Sequence, residues 1–224
     1  MKKFSERQLV IFDLDGTLVD SVPDLSYCVD EMLSELDREP AGEALVRMWV
    51  GNGVERLVKR ALVGAMEGEP DQDIFARALA IFLELYAENT SRLSRLYPGV
   101  EEGLDWLAGR DIKLACVTNK VERYTLPLLN DLGLAPRFAM VISGDSLSEK
   151  KPSPLPLRHV AETLGVPLQH GLMVGDSISD VGAARAAGLP VVCLTYGYNH
   201  GQDIRSTKPD AVIDSLSELP ALLS

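Results

Sequence analysis

The chain of 224 residues is short of cysteine, of positive charge and of long apolar runs. Its three cysteines, Cys28, Cys116 and Cys193, lie far apart in apolar surroundings, with no CxxC or Cys-His spacing. That pattern offers neither a disulfide framework nor a thiolate zinc site, so buried free thiols are expected. Lys and Arg number 22 against 33 Asp and Glu, a formal net charge of −11. So acidic a chain presents no general basic field, and neither nucleic acid nor an anionic membrane is expected as a partner. No apolar run is long enough to span a bilayer. The first residues, MKKFSERQLV, pass from charge straight into an apolar run without a cleavable apolar region, and a cytoplasmic protein is expected. Internal repeats and low-complexity tracts are lacking too. The three histidines, His159, His170 and His200, fall at no strand's carboxyl end and read as structural or surface residues. Trp49 and Trp106 stand among helical apolar residues and read as packing.

With 46% apolar and 25% charged residues, the chain has the composition of an ordinary soluble globular protein. Its length fits one large domain, or a domain with a smaller insert. The most informative stretch is residues 9–20, LVIFDLDGTLVD. It opens as an apolar run of strand length and stops abruptly at Asp13, Asp15 and Gly16. Side chains at i and i+2 of an extended segment point the same way, so both carboxylates leave the sheet edge together. Two such charges repel unless a cation lies between them, and a hard divalent ion such as Mg²⁺ prefers oxygen ligands. Gly16 frees the backbone to bend and to bring its N–H groups to an anion. A strand followed by a plain Asp-Gly turn is the bland alternative.

Residues 20–92 change to a wholly helical pattern. Apolar residues recur at three and four over residues 24–36, over 42–66 with a break at Gly51 to Gly53, and over 71–93. From Tyr97 onward, helices and strands alternate. Strands are expected at Lys113–Val117, 138–142, 171–174, 190–194 and Ala211–Ile213, with helices at 100–109, 121–132, 154–164 and 177–187. Continuous apolar strands in βα units imply a parallel sheet covered on both faces, with a helical domain inserted after the first strand. Domain bounds of 1–20 with 93–224, and of 21–92 for the insert, follow. The polar stretch 196–210 reads as a surface loop.

Ligands of such sheets bind beyond the carboxyl ends of the strands. Those ends carry DxD, then Thr118 and Asn119, then Lys151 before Pro152, then Asp176 and Asp180 in GDSISD. Thr118 could donate to a phosphate at a helix N-terminus or be a routine cap. Lys151 could neutralise an oxyanion or be half of a solvated Lys-Lys pair with Lys150. Asp176 and Asp180, four apart, fall near one face of the first helical turn. The break at Gly51 to Gly53 could hold Asn52 over a ligand or be a plain Gly-rich turn.

DLDGT at residues 13–17, VTN at 117–119, KP at 151–152 and GDSISD at 175–180 resemble, in order, the four motifs of the haloacid dehalogenase superfamily of phosphatases and phosphotransferases. The likeness covers nearly the whole chain, and the helical insert is similar to that superfamily's helical cap. DLDGTLVDS, WVGNG at 49–53 and SGDSLSEKKPSPLPL look most like its phosphoglycolate phosphatase branch. The resemblance implies a Rossmann-like α/β core and hydrolysis of a small phosphate monoester, 2-phosphoglycolate, through an aspartyl phosphate. It assigns Asp13 as nucleophile and Asp15 as general acid and then base. Mg²⁺ would be held by Asp13, the Asp15 carbonyl and Asp176, with Asp180 acting through water or orienting Asp176. Thr118 and Lys151 would bind phosphoryl oxygens, with Gly16, Asn119 and Asn52 as further substrate contacts. The tandem Lys150 and Lys151 is a departure, and the choice of Lys151 rests on its place before Pro152. The net charge would repel a phosphate ester, so such a site must rely on local cations and a metal. Rival expectations are another sugar-phosphate phosphatase, a β-phosphoglucomutase-like phosphotransferase, and a receiver-like phospho-aspartate module. Monomer and homodimer stay equally open.

Overall fold

The computed structural model describes Phe4 and residues 6–224. Strand β1 (Leu9–Phe12) leads through a short β2 (Val19–Asp20) into four helices, α1 (Val22–Glu35), α2 (Glu43–Trp49), α3 (Val54–Val63) and α4 (Gln72–Glu88). The chain returns through β3 (Arg95–Leu96) and then alternates as α5 (Val100–Ala108), β4 (Lys113–Val117), α6 (Glu122–Asp131), β5 (Met140–Ile142), α7 (Leu155–Thr163), β6 (Gly171–Gly175), α8 (Ile178–Ala187), β7 (Val191–Leu194), β8 (Ala211–Ile213) and α9 (Leu219–Leu223). Six strands form one parallel sheet in the order β5-β4-β1-β6-β7-β8. The order reverses at β1, where Phe12 stands between Cys116 and Val174. The carboxyl ends of β1, β4 and β6 therefore meet at the crevice where such sheets take ligands.

Strand residues alternate between two cores. Val10, Phe12, Cys116 and Val174 pack with α5, α6 and α9, whereas Leu9, Ile11, Val117 and Met173 pack with α7 and α8. Both sheet faces are thus covered, which is why the strands read as unbroken apolar runs. All three cysteines are buried and free. Helices α1 to α4 make a third core around Val29, Met32, Val58 and Phe82, and Tyr124 and Tyr198 reach into it from the sheet-bearing part. Among the described residues, no helix is long and apolar enough to cross a membrane.

Two features differ from the sequence reading. Helix α4 stops at Glu88 rather than near residue 93, and β2 pairs antiparallel with β3. Both trace to Asp24, fully buried in the first turn of α1, whose carboxylate accepts from the N–H groups of Leu93 and Ser94, each at 2.8 Å, and from the Ser94 hydroxyl at 2.6 Å. Backbone amides that could have continued a helix are drawn sideways instead, and the outgoing and returning chains are fastened together. Removing that carboxylate strands three donors, two of them buried. Asp24→Ala should lower the unfolding free energy by about 2–4 kcal/mol in urea denaturation, and a change under about 0.5 kcal/mol would refute the role.

Candidate active site

Asp13 follows β1, Thr118 follows β4 and Asp176 follows β6, so three parallel strands deliver them to one rim. Asp13, Asp15, Thr118, Asn119, Lys151 and Asp176 line a single cavity. Carboxylate oxygens of Asp13, Asp176 and Asp180 all lie within 4.8 Å of one another, and all three residues are buried. Lys151 is 2% exposed. Its ammonium lies 2.7 Å from Asp13 Oδ1 and donates at 2.7 Å to both Asp180 Oδ1 and the Val117 carbonyl. All three ammonium protons are thereby engaged.

Asp180 is held on both oxygens, by Lys151 on one and by the Asp176 and Ser177 amides and the Ser177 hydroxyl on the other. The same bonds form the capping box that starts α8. Asp176 accepts from the Thr17 hydroxyl at 2.5 Å and the Tyr198 amide at 2.6 Å. Its carboxylate is wedged between Gly16 and Gly197, where an added Cβ would collide with it. Gly16 also has φ +87°, a backbone state that favours glycine. Asp15 faces away from this cluster. Its carboxylate accepts from Ser21 Oγ at 2.5 Å and from Lys120 Nζ at 3.0 and 3.2 Å. The two carboxylates of DxD therefore meet different cations, Lys151 and Lys120, rather than sharing one through their side chains.

The electrostatics point to missing positive charge. Burial, together with the Asp180 and Asp176 charges, holds the Asp13 carboxyl well above the usual range, although Lys151 pulls the other way. Burial and Asp180 push Asp176 up to about 7 against the Thr17 and Tyr198 hydrogen bonds. Burial alone would lower Lys151 and Lys120, but Asp13 and Asp180 beside the first, and Asp15 beside the second, keep both above the ordinary lysine value. Three buried carboxylates facing one ammonium suit a hard divalent cation. Asp180 is tied to the Lys151 ammonium and to the start of α8, whereas Asp176 is held by one hydroxyl and one amide, both neutral; Asp13 and Asp176, at the ends of neighbouring strands, are the carboxylates best placed to ligate it directly.

Thr118 is 3% exposed, and its hydroxyl oxygen accepts from the Lys120 amide at 3.1 Å, leaving the hydroxyl proton for the cavity. Asn119 donates to the Lys151 carbonyl at 3.0 Å, and its Oδ1 is buried without a partner. The reading of Asn52 as a residue over the ligand needs correction. Gly51 and Gly53 line the Asp13 cavity, while Asn52 is exposed and borders a neighbouring one with Lys150. Positive φ at both glycines, +123° and +94°, turns the intervening side chain outward. The tandem lysines are likewise split, Lys151 inward and Lys150 to the exposed side of Gly53.

The stretch 196–210 is also more than a surface loop. Tyr198 and Asn199 are buried, the Tyr198 hydroxyl donates to Asp20 and accepts from the Ser21 amide, and the Tyr196 hydroxyl donates to the Thr17 carbonyl at 2.8 Å. No role was read from the sequence for Lys120, Tyr86 and Tyr198, which line the cavity, or for the Thr17 hydroxyl, which holds Asp176. Thr17 and Lys120 adjoin motif residues, which is a usable signal; Tyr86 and Tyr198 carry none.

A doubly covered parallel sheet with carboxylates, a buried lysine and a threonine at its switch point is an α/β architecture that carries the donors phosphoryl transfer needs. A family model described as haloacid dehalogenase-like hydrolase matches residues 10–194, and the chain belongs to that family. It is 58% identical to a phosphoglycolate phosphatase of Nitrosococcus oceani over 97% of this chain and 96% of the relative. A phosphoglycolate phosphatase of Thiobacillus denitrificans is 44% identical over 96% and 95%. Among solved structures, a predicted phosphoglycolate phosphatase from Haemophilus somnus superposes with a TM-score of 0.91 at 38% identity, covering 97% and 98% of the two chains.

A carboxylate that holds its proton more tightly in the folded chain than in the unfolded one makes the fold less stable as pH rises between the two values. Through Asp176, the cation-free protein should lose stability between about pH 4, the unfolded value, and a folded value of about 7. Thermal melts in chelator across that range should show the loss, and Asp176→Asn should diminish it. An undiminished slope in the variant would refute the assignment.

Proposed function

We propose that this chain is a phosphoglycolate phosphatase that hydrolyses 2-phosphoglycolate to glycolate and phosphate through an aspartyl phosphate on Asp13. One observation carries the reading: the buried cluster of Asp13, Asp176 and Asp180 around Lys151 at the switch point of the sheet. The relatives named above support the substrate. Mg²⁺, held by Asp13, the Asp15 carbonyl and Asp176, would offset the repulsion between carboxylate and phosphate and polarise the phosphoryl group. Asp13 attacks phosphorus in line, which divides hydrolysis into two easier steps. Lys151, already desolvated beside Asp13, stabilises charge on the phosphoryl oxygens, and Thr118 donates its hydroxyl to them. Asp15 protonates the departing alkoxide and then takes a proton from the water that attacks the intermediate. Asp180 positions Lys151 and the Asp176 loop without touching substrate. Residues 21–92 act as the cap of a core made of 1–20 and 93–224; closure excludes water and selects the leaving group.

A panel of small phosphate esters, assayed with Mg²⁺ and with chelator, tests the proposal. Free phosphate should be released from 2-phosphoglycolate in preference to sugar phosphates, and chelator should stop it. An isomerised sugar phosphate as the main product would establish a mutase instead, and a long-lived phosphoprotein a signalling module. Asp13→Asn should keep the fold and lose about 10³-fold or more of kcat; full activity would eliminate the nucleophile.

A further inference from the structure

Two basic residues line the Asp13 cavity, Lys151 and Lys120. Lys151, held against Asp13, Asp180 and the Val117 carbonyl, belongs to the phosphoryl end of the site. Lys120, with a side chain 6% exposed, spans the two oxygens of Asp15 and lies 5.1 Å from the centroid of the Tyr86 ring. The helical block lines the cavity almost wholly with glycine and aliphatic residues, and Tyr86 of α4 is the one polar side chain it contributes. Tyr86 is completely buried, and its hydroxyl, beside the Lys120 ammonium, meets no acceptor for its proton among the described residues. Its ring is braced by Phe82, with centroids 5.5 Å apart, and by Tyr124 at 4.6 Å. A fixed, buried hydroxyl without an acceptor, lining a cavity beside a buried ammonium, is a donor waiting for a ligand.

We propose that the Tyr86 hydroxyl and the Lys120 ammonium together hold the carboxylate of the leaving group, and so select esters whose alcohol carries an acid. The inference rests on the phosphoglycolate reading and assigns the other end of that substrate. The phosphoryl end is served by Asp13, Lys151 and Thr118. The carboxylate end must leave water for a chamber with otherwise apolar walls on the cap side, so it needs both a cation and a hydrogen-bond donor. Glycolate is only two carbons long, and Lys120 touches Asp15. A carboxylate on Lys120 therefore keeps the ester oxygen close to the acid that protonates it. Neutral alcohols of the same length leave the buried hydroxyl unanswered and gain nothing from the ammonium, which is the arrangement that discriminates most strongly.

The test compares 2-phosphoglycolate with ethyl phosphate, which replaces the carboxylate by a methyl group, in the wild-type protein and in Tyr86→Phe with Mg²⁺ present. The wild type should prefer 2-phosphoglycolate. The variant should lose about tenfold to a hundredfold more kcat/KM on 2-phosphoglycolate than on ethyl phosphate, mainly through KM. Equal losses on both esters, or an unchanged ratio, would overturn the carboxylate clamp and leave the phosphatase reading standing. A wild type that prefers ethyl phosphate would overturn both. Product inhibition of the wild type gives a second readout that needs no variant. Glycolate should inhibit about tenfold more strongly than neutral glycolamide, and equal inhibition would again overturn the clamp.

Discussion

Everything at the rim of this sheet depends on one ammonium group buried among carboxylates. Lys151 contacts Asp13, Asp180 and the Val117 carbonyl at the same 2.7 Å. Taking an ammonium and two carboxylates out of water is costly, and the contacts recover that cost only when every donor and acceptor is matched. Here Asp180 meets the ammonium and three further donors, whereas Asp176 meets only neutral donors, and Asp13 and Asp176 both hold their protons too tightly. The fold thus fixes the positive charge it can supply and leaves a deficit of positive charge at Asp13 and Asp176. A site built this way is prepared for a cation and an anion together, in a chain whose overall charge would favour only the first.

The backbone makes that crowding possible. Asp13 and Asp176 extend neighbouring strands, and Gly16 and Gly197 remove the side chains that would otherwise occupy the Asp176 carboxylate's space. Thr17 and the Tyr198 amide then hold the carboxylate in the gap. Asp180 serves twice, as the cap of α8 and as the partner of Lys151, so the helix start and the lysine position are set by one side chain. Preorganisation of this sort is what electrostatic catalysis requires, since groups already oriented need not reorganise as charge develops.

Much of this was legible in the sequence. The strands at Lys113–Val117 and Ala211–Ile213 fall where their apolar runs place them, because a doubly covered parallel strand must be apolar throughout. Asp13, Thr118, Lys151 and Asp176 were found because each follows or precedes such an element, and the fold gathers those ends. What escaped has a different physical origin. The ribbon of β2 and β3 is two residues a side, too short for any period, and exists because Asp24 captures two amides 69 and 70 residues away. Asn52 turned outward because two positive-φ glycines decide its direction, and composition alone does not reveal φ. Tyr86 reads as one more apolar position on an amphipathic helix, and only its position in the cavity shows that its hydroxyl is unanswered. Tyr198 lies in a polar stretch whose hydrogen bonds turn inward, which no local pattern signals.

That last residue has a bearing on how the two halves of the molecule communicate. Tyr198 binds Asp176 through its amide, and binds Asp20 and the Ser21 amide, where the chain departs for the helices, through its phenol. A single rigid ring therefore spans the distance between the acidic pole and the neck of the insert. A cation that drew on the Asp176 carboxylate would act through this ring on the place where the chain leaves for the helices, and the reverse would hold equally. One tyrosine thus serves at once the acidic cluster and the crossing between the sheet-bearing part and the helices.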